Sequence, residues 1–138
     1  IFEQYFLPMV KEQVDLAHQG GALYIYYDDG KLNQILPFVL EAGADVVMTL
    51  TPAPVGDIDP IEVKETYGSQ IALQGGFEVI HLIHRGTPDA IEKEVRKTLP
   101  RLMRGGGYVF DTSNSIPTGT PIENVRAFFR TANELASY

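Results

Sequence analysis

The sequence contains no cysteine. Neither a disulfide framework nor a thiolate metal site can therefore form within the chain, a composition that fits a cytoplasmic setting. Positive charge is scarce: 11 lysines and arginines stand against 18 aspartates and glutamates, for a net charge of −7. That balance disfavours binding to a phosphate backbone, and no nucleic-acid partner is expected. No apolar run approaches the ~20 residues of a membrane span, and no stretch reads as a signal peptide. No membrane partner is expected either. What remains is an ordinary globular composition, 44% hydrophobic and 21% charged. We read residues 1–138 as a single domain, long enough to bury a core without metals or cross-links.

Phe2, Tyr5, Phe6 and Leu7 form a dense apolar cluster just before Pro8. This start looks like the middle of something, and we expect the C-terminal part of a longer chain rather than a processed terminus. Met9 to Gln19 reads as a helix closed by Gly20-Gly21. Ala22–Tyr27 reads as an apolar strand, Lys31–Ala42 as an amphipathic helix, and Ala44–Leu50 as a second strand. Asp59-Pro60 marks a helix start, with Asp as N-cap and Pro in the first turn, running to Tyr67. Gln70–Gln74 is a third strand, and Phe77 to Arg85 reads as a loop. Thr87-Pro88 opens a helix through Leu102, which Pro100 is expected to kink or end early. Gly105-Gly106-Gly107 turns the chain into a fourth strand, Tyr108–Asp111. Pro121–Leu135 is the last helix, with Val125, Phe128, Phe129, Ala132 and Leu135 as its apolar stripe.

A helix followed by four strand–helix units, with strands apolar throughout, implies an α/β fold with a parallel sheet. Two architectures remain: an open doubly wound sheet or part of a (β/α)8 barrel. In either, chemistry gathers where strands end. Here those positions carry Tyr27, Asp28, Asp29, Thr49, Thr51, Gln74, Glu78, Asp111, Ser113 and Asn114. Asp29, Glu78 and Asp111 could hold a hard cation or shift one another's proton affinity. Equally, aspartates at strand ends form turns and caps, and Asp28-Asp29 before Lys31 suits that role. Asp57 and Asp59 read as structural. His18 suits the end of its helix, and His81 and His84 lack a third ligand. No Ser/His/Asp constellation is visible.

Several junctions taken together resemble the uroporphyrinogen decarboxylase superfamily, which also contains corrinoid-dependent methyltransferases. They are Asp29-Gly30, Glu41-Ala42-Gly43-Ala44-Asp45, Lys64-Glu65-Thr66-Tyr67-Gly68, Leu73-Gln74-Gly75-Gly76 and Arg85-Gly86-Thr87-Pro88. The glycine-led strand Gly105–Phe110 and Thr120-Pro121-Ile122-Glu123-Asn124-Val125 close the series. The resemblance covers almost the whole chain and implies the C-terminal half of a (β/α)8 TIM-type barrel. A half-barrel exposes strand edges and an inner apolar surface. It is therefore expected to meet a second copy or an N-terminal half-barrel, unless the Phe2–Leu7 cluster covers an edge.

For activity, the resemblance implies part of a methyltransferase-type enzyme acting with a corrinoid or small methyl donor, with no cofactor held within this chain. Its zinc-dependent members place a His and a Cys where this chain has Tyr27 and Asp29, and a Cys near Asn114. Phenol and amide are poor zinc ligands, so no metal site is carried over. Its decarboxylases place a His at Asn114 and bind a polycarboxylate, for which an acidic mouth with only Lys31 nearby is a poor cradle. The candidate catalytic residues are Asp29, Asp111 and Asn114. Tyr27, Asp28, Gln74, Glu78 and Ser113 are candidates for binding a small-molecule substrate. A non-catalytic binding or structural half-barrel and a carboxylate-metal lyase or hydrolase are the alternatives.

Overall fold

A computed structural model describes residues 1–136; the last two residues of the 1–138 domain reading lie outside it. A π-helical segment, Phe2–Phe6, runs on into helix α1 (Leu7–Gln19), with the Leu7 N–H bonded back to the Phe2 carbonyl and Pro8 in the first α-helical turn. Leu7, Val10 and Val14 recur at helical spacing and form its buried stripe. From the N-terminal cluster, Phe2 packs near Tyr26 and Phe38, while Tyr5 and Phe6 remain exposed.

Four strands follow: β1 (Ile25–Tyr27), β2 (Val46–Leu50), β3 (Ala72–Gly75) and β4 (Tyr108–Val109). All pair in parallel, in the order β1-β2-β3-β4. The strands are shorter than expected: Ala22 and Leu23, before β1, are exposed, while before β2 and β3 apolar composition marks burial rather than ladder pairing. Ala44 and Ile71 are buried but precede the hydrogen-bonded ladder. Sheet order that never reverses, joined by right-handed crossovers, returns every helix to one face. That is the winding of a barrel and not of a doubly wound sheet. Register aligns Tyr26, Val47, Leu73 and Tyr108 in one row. The first three are buried beneath the helices. The alternate positions Ile25, Tyr27 and Val109 lie on the other face, each about half exposed at 51%, 54% and 48%.

Helix α2 (Leu36–Glu41) is much shorter than the expected Lys31–Ala42. Pro37 fixes the first turn, and the preceding residues instead tie to a distant loop through Asn33, whose backbone N–H donates to Asp57. Helix α3 (Pro60–Tyr67) starts as expected: the Asp59 carboxylate accepts from the N–H groups of Ile61 and Glu62. A π-helical segment, Val79–His84, occupies the region expected to be a loop. Helix α4 (Pro88–Met103) is capped by Thr87, and Pro100 does not end it. Burial of Ile91, Val95, Leu99 and Leu102 along one face outweighs a single lost backbone bond near the helix end. In helix α5 (Ile122–Leu135) the buried stripe is Asn124, Ala127, Phe128, Thr131 and Ala132, so Phe129 is not part of it. Phe77, Phe110 and Phe128 form an aromatic centre between α4, α5 and the sheet, with ring centroids 4.4–5.4 Å apart.

Candidate functional site

The loops after the four strands meet at the C-terminal end of the sheet. Their convergence starts from an irregularity in β2, where register shifts between Val47 and Leu50. Thr49 lies there with φ of 62°, fully buried, a conformation rare for a branched residue. Its hydroxyl contacts the carbonyl oxygens of Asp28 and Met48, fixing the turn after β1 to β2. Asp28 is occupied within that turn. One of its carboxylate oxygens accepts from the Asp29 N–H at 2.9 Å and the other from the Tyr26 hydroxyl at 3.1 Å.

Asp29 is thereby presented to the loop after β4. The Asn114 side-chain amide donates to both its carboxylate oxygens, at 3.1 and 2.9 Å, across 85 residues of sequence. The Tyr27 hydroxyl approaches the same carboxylate at 3.4 Å. The negative charge of Asp29 raises the Tyr27 phenol above its ordinary value, with slight desolvation and the hydrogen bond adding to it. Tyr27, Asp29 and Asn114 thus form one hydrogen-bonded group bridging the two outer strands. A second pair stands beside it: the Gln74 amide donates to Asp111 at 2.8 Å, and the Thr112 N–H to the other Asp111 oxygen at 2.8 Å.

Glu78 has a different local role. Its carboxylate caps the π-helical segment, accepting from the N–H groups of Ile80, His81 and Leu82. Ser113 is buried and held by a backbone bond to Phe77, yet its hydroxyl has no hydrogen-bond partner. Two cavities adjoin this set. One, of about 450 Å³, is lined by Asp29, Glu78 and Ser113 among others. The other, of about 400 Å³, includes Tyr27, Met48, Asp111 and Phe129. Asn114 and Ser115 line both, so the Asp29–Asn114 bridge stands between them.

All eight candidate residues therefore lie at this end, joined by Thr49, Thr112 and Ser115. Sequence reasoning gave Thr112 and Ser115 no role, and nothing in composition signals a left-handed threonine. The histidines are elsewhere or engaged: His18 with Asp45 at the opposite end, His84 with Thr120, and His81 beside Glu78. Among the described residues, no group of three or more His, Cys, Asp or Glu could hold a metal ion.

Consecutive parallel strands, each followed by a helix, and a polar mouth at the strand ends define part of a (β/α) barrel. The chain belongs to the uroporphyrinogen decarboxylase (URO-D) family, whose model matches residues 1–135. It is 27% identical over 135 residues to the uroporphyrinogen decarboxylase of Methylococcus capsulatus, covering 98% of this chain and 36% of that protein. It is 32% identical to uroporphyrinogen decarboxylase 2, chloroplastic, of Oryza sativa, covering 95% of this chain and 32% of that protein. With the methylated-thiol–coenzyme M methyltransferase of Methanosarcina mazei the identity is 24%, over 96% and 33% of the two chains. A solved methyltransferase from Methanosarcina mazei superposes with a TM-score of 0.76 and 21% identity, covering 99% of this chain and 37% of that one. The chain spans about a third of the length of these relatives.

Proposed function

We propose that this domain supplies the substrate-binding end of a methyltransferase-type barrel and does not decarboxylate porphyrinogens. One observation carries the reading: neither mouth cavity has a lysine or arginine in its lining, while Asp29 and Asp111 meet only neutral donors. Such a site repels a polycarboxylate and accommodates a neutral or cationic small molecule. In this reading Asp29 and Asp111 accept protons or hydrogen bonds from the substrate. Asn114 and Gln74 orient them, Tyr27 completes the contacts, and Ser113 forms part of the wall with its hydroxyl turned into the protein. Asp28 and Glu78 hold the loops that present the others.

A corrinoid does not fit as a resident cofactor of this chain. Neither cavity could enclose a corrin ring, and no histidine stands free at the mouth to ligate cobalt. A methyl-bearing corrinoid would instead belong to a partner. Methyl transfer between methylcobalamin and a thiol, both supplied in solution, should proceed with the purified protein, followed by visible absorbance. Asp29→Asn should slow it by about tenfold or more. Conversion of uroporphyrinogen to a less carboxylated product would overturn the reading. Inertness in both assays would favour a binding half-barrel, an alternative suggested by the hold of Asn114 on Asp29.

A further inference from the structure

Among the described residues, Thr49 alone combines a left-handed backbone with a side chain: its φ is 62°, and the other positive values belong to glycines. A β-branched residue is costly there, whereas glycine would adopt the same turn freely. The position is also fully buried, so no contact with solvent accounts for a threonine. Its hydroxyl has a use. Where β2 loses register with β3, the irregularity in the ladder re-aims the Thr49 side chain. The hydroxyl then reaches the Met48 carbonyl of its own strand and, just past the end of β1, the carbonyl of Asp28. The Thr51 hydroxyl in turn donates to the Thr49 carbonyl at 3.0 Å, which anchors the turn from within the buried layer.

The Asp28 carbonyl belongs to the peptide unit that leads into Asp29. The N–H of that same unit donates to the Asp28 carboxylate at 2.9 Å, so the peptide plane is held at both of its polar atoms. One bond beyond lies the Asp29 Cα, and its carboxylate meets the Asn114 amide and the Tyr27 hydroxyl. We infer that Thr49 is a positioning residue of the mouth: its hydroxyl fixes the Asp28–Asp29 peptide and so aims the Asp29 carboxylate at Asn114. A buried turn-former without that task would be better served by glycine, which takes this φ without strain. The Asp28 carboxylate is no substitute, because it grips only the N–H side of the peptide. Strain held in a backbone that presents a side chain for chemistry is a recurrent arrangement. The importance of Asp29 rests on the proposed substrate-binding reading, but the placement of its carboxylate can be tested without any substrate.

The test reads the Tyr27 phenol, which the charge of Asp29 raises above ordinary tyrosine. Ultraviolet titration of tyrosinate follows it in each variant, with Tyr27→Phe to assign the component. Thr49→Val keeps the branched shape and removes the hydroxyl; Thr49→Gly removes the hydroxyl and the strain together. Both should move the Tyr27 ionisation down, in the direction of Asp29→Asn, whereas Thr49→Ser should hold it at the wild-type position. In an Asp29→Asn background, Thr49→Val should add no further displacement, because two changes acting through one contact are not additive. Circular dichroism matching the wild type shows that each variant is folded, and the glycine and serine variants decide should the valine variant fail to fold. A wild-type Tyr27 titration in Thr49→Gly overturns the inference, since the turn alone would then place Asp29. So does an equal displacement by Thr49→Val with and without the Asp29 charge. Absence of methyl transfer in the wild type, with the dependence of Tyr27 on Thr49 intact, would remove the preceding functional reading and leave the positioning in place.

Discussion

Asp29 and Asp45 are two aspartates at opposite ends of the same sheet, and their partners differ in kind. Asp45, at the start of β2, accepts the Tyr24 backbone N–H at 2.7 Å and lies 2.8 Å from the His18 ring nitrogen. The His18 hydrogen bond is the largest cause holding its carboxyl below the ordinary aspartate range, with the Tyr24 bond second. It ties the end of α1 to the beginnings of β1 and β2. Asp29, past the end of β1, has no backbone donor from another strand and no potentially cationic partner. Its donors are side chains that a ligand can displace. One end of the sheet uses a carboxylate to close the fold, and the other keeps one available for exchange.

The backbone shows the same contrast, and there the largest effects are expected. Gly75, at the mouth end of β3, has a φ of +98°, and an added Cβ would meet the Thr112 carbonyl at 3.2 Å. Gly105, in the turn at the other end, has a φ of +76° but open space around it. Gly75→Ala should therefore cost about 3 kcal/mol, combining left-handed strain with backbone crowding. Gly105→Ala should cost about 1 kcal/mol from strain alone. Urea denaturation of the two variants measures both. Equal losses would mean that the mouth backbone is no more crowded than the opposite turn.

A smaller effect concerns Asp45 alone and is read by pH. A carboxyl whose folded value is depressed contributes stability that is present above its unfolded value, about 3.9. That contribution is lost as pH falls through the folded value. Asp45→Asn should thus make the protein less stable near neutrality and flatten the loss of stability below about pH 4. Thermal unfolding followed from pH 6 to pH 2.5 reads this directly. An acid limb as steep as the wild type's would show that the His18 contact does not bias Asp45 in solution.

How far these ends could be foreseen depended on the range of the interaction. The α3 and α4 starts were legible because Asp59-Pro60 and Thr87-Pro88 carry their caps within one turn. The sheet's winding followed from the succession of apolar strands and the family resemblance. The cap of the π-helical segment was missed: Glu78 precedes the sequence Val-Ile-His-Leu-Ile-His, which has no ordinary helix-start signal. Tyr27, Asp29 and Asn114 were all placed at the mouth by sequence, but their hydrogen bonds depend on sheet curvature and the turn held by Thr49. Phe129 fits the spacing of an α5 stripe, yet 44% of it is exposed beside the β4 edge, because helix rotation is set by packing against α4.

The finest test concerns Tyr27, whose elevated phenol reports on the charge of Asp29. Tyr26 and Tyr108 also ionise above the usual tyrosine range, but burial is the main cause for both. The three can be separated by an ultraviolet titration of tyrosinate. Asp29→Asn removes the leading cause acting on Tyr27, so its ionisation should move down toward ordinary tyrosine while Tyr26 and Tyr108 stay high. Tyr27→Phe should delete the component that moved, which assigns it. The displacement should be modest, since solvent around an exposed phenol screens the carboxylate. It should shrink further in high salt, whereas the burial effect on Tyr108 should not. A salt-insensitive Tyr27 would mean that the Asp29 carboxylate does not face it, and the mouth would lose the charge that distinguishes it from the Asp45 end.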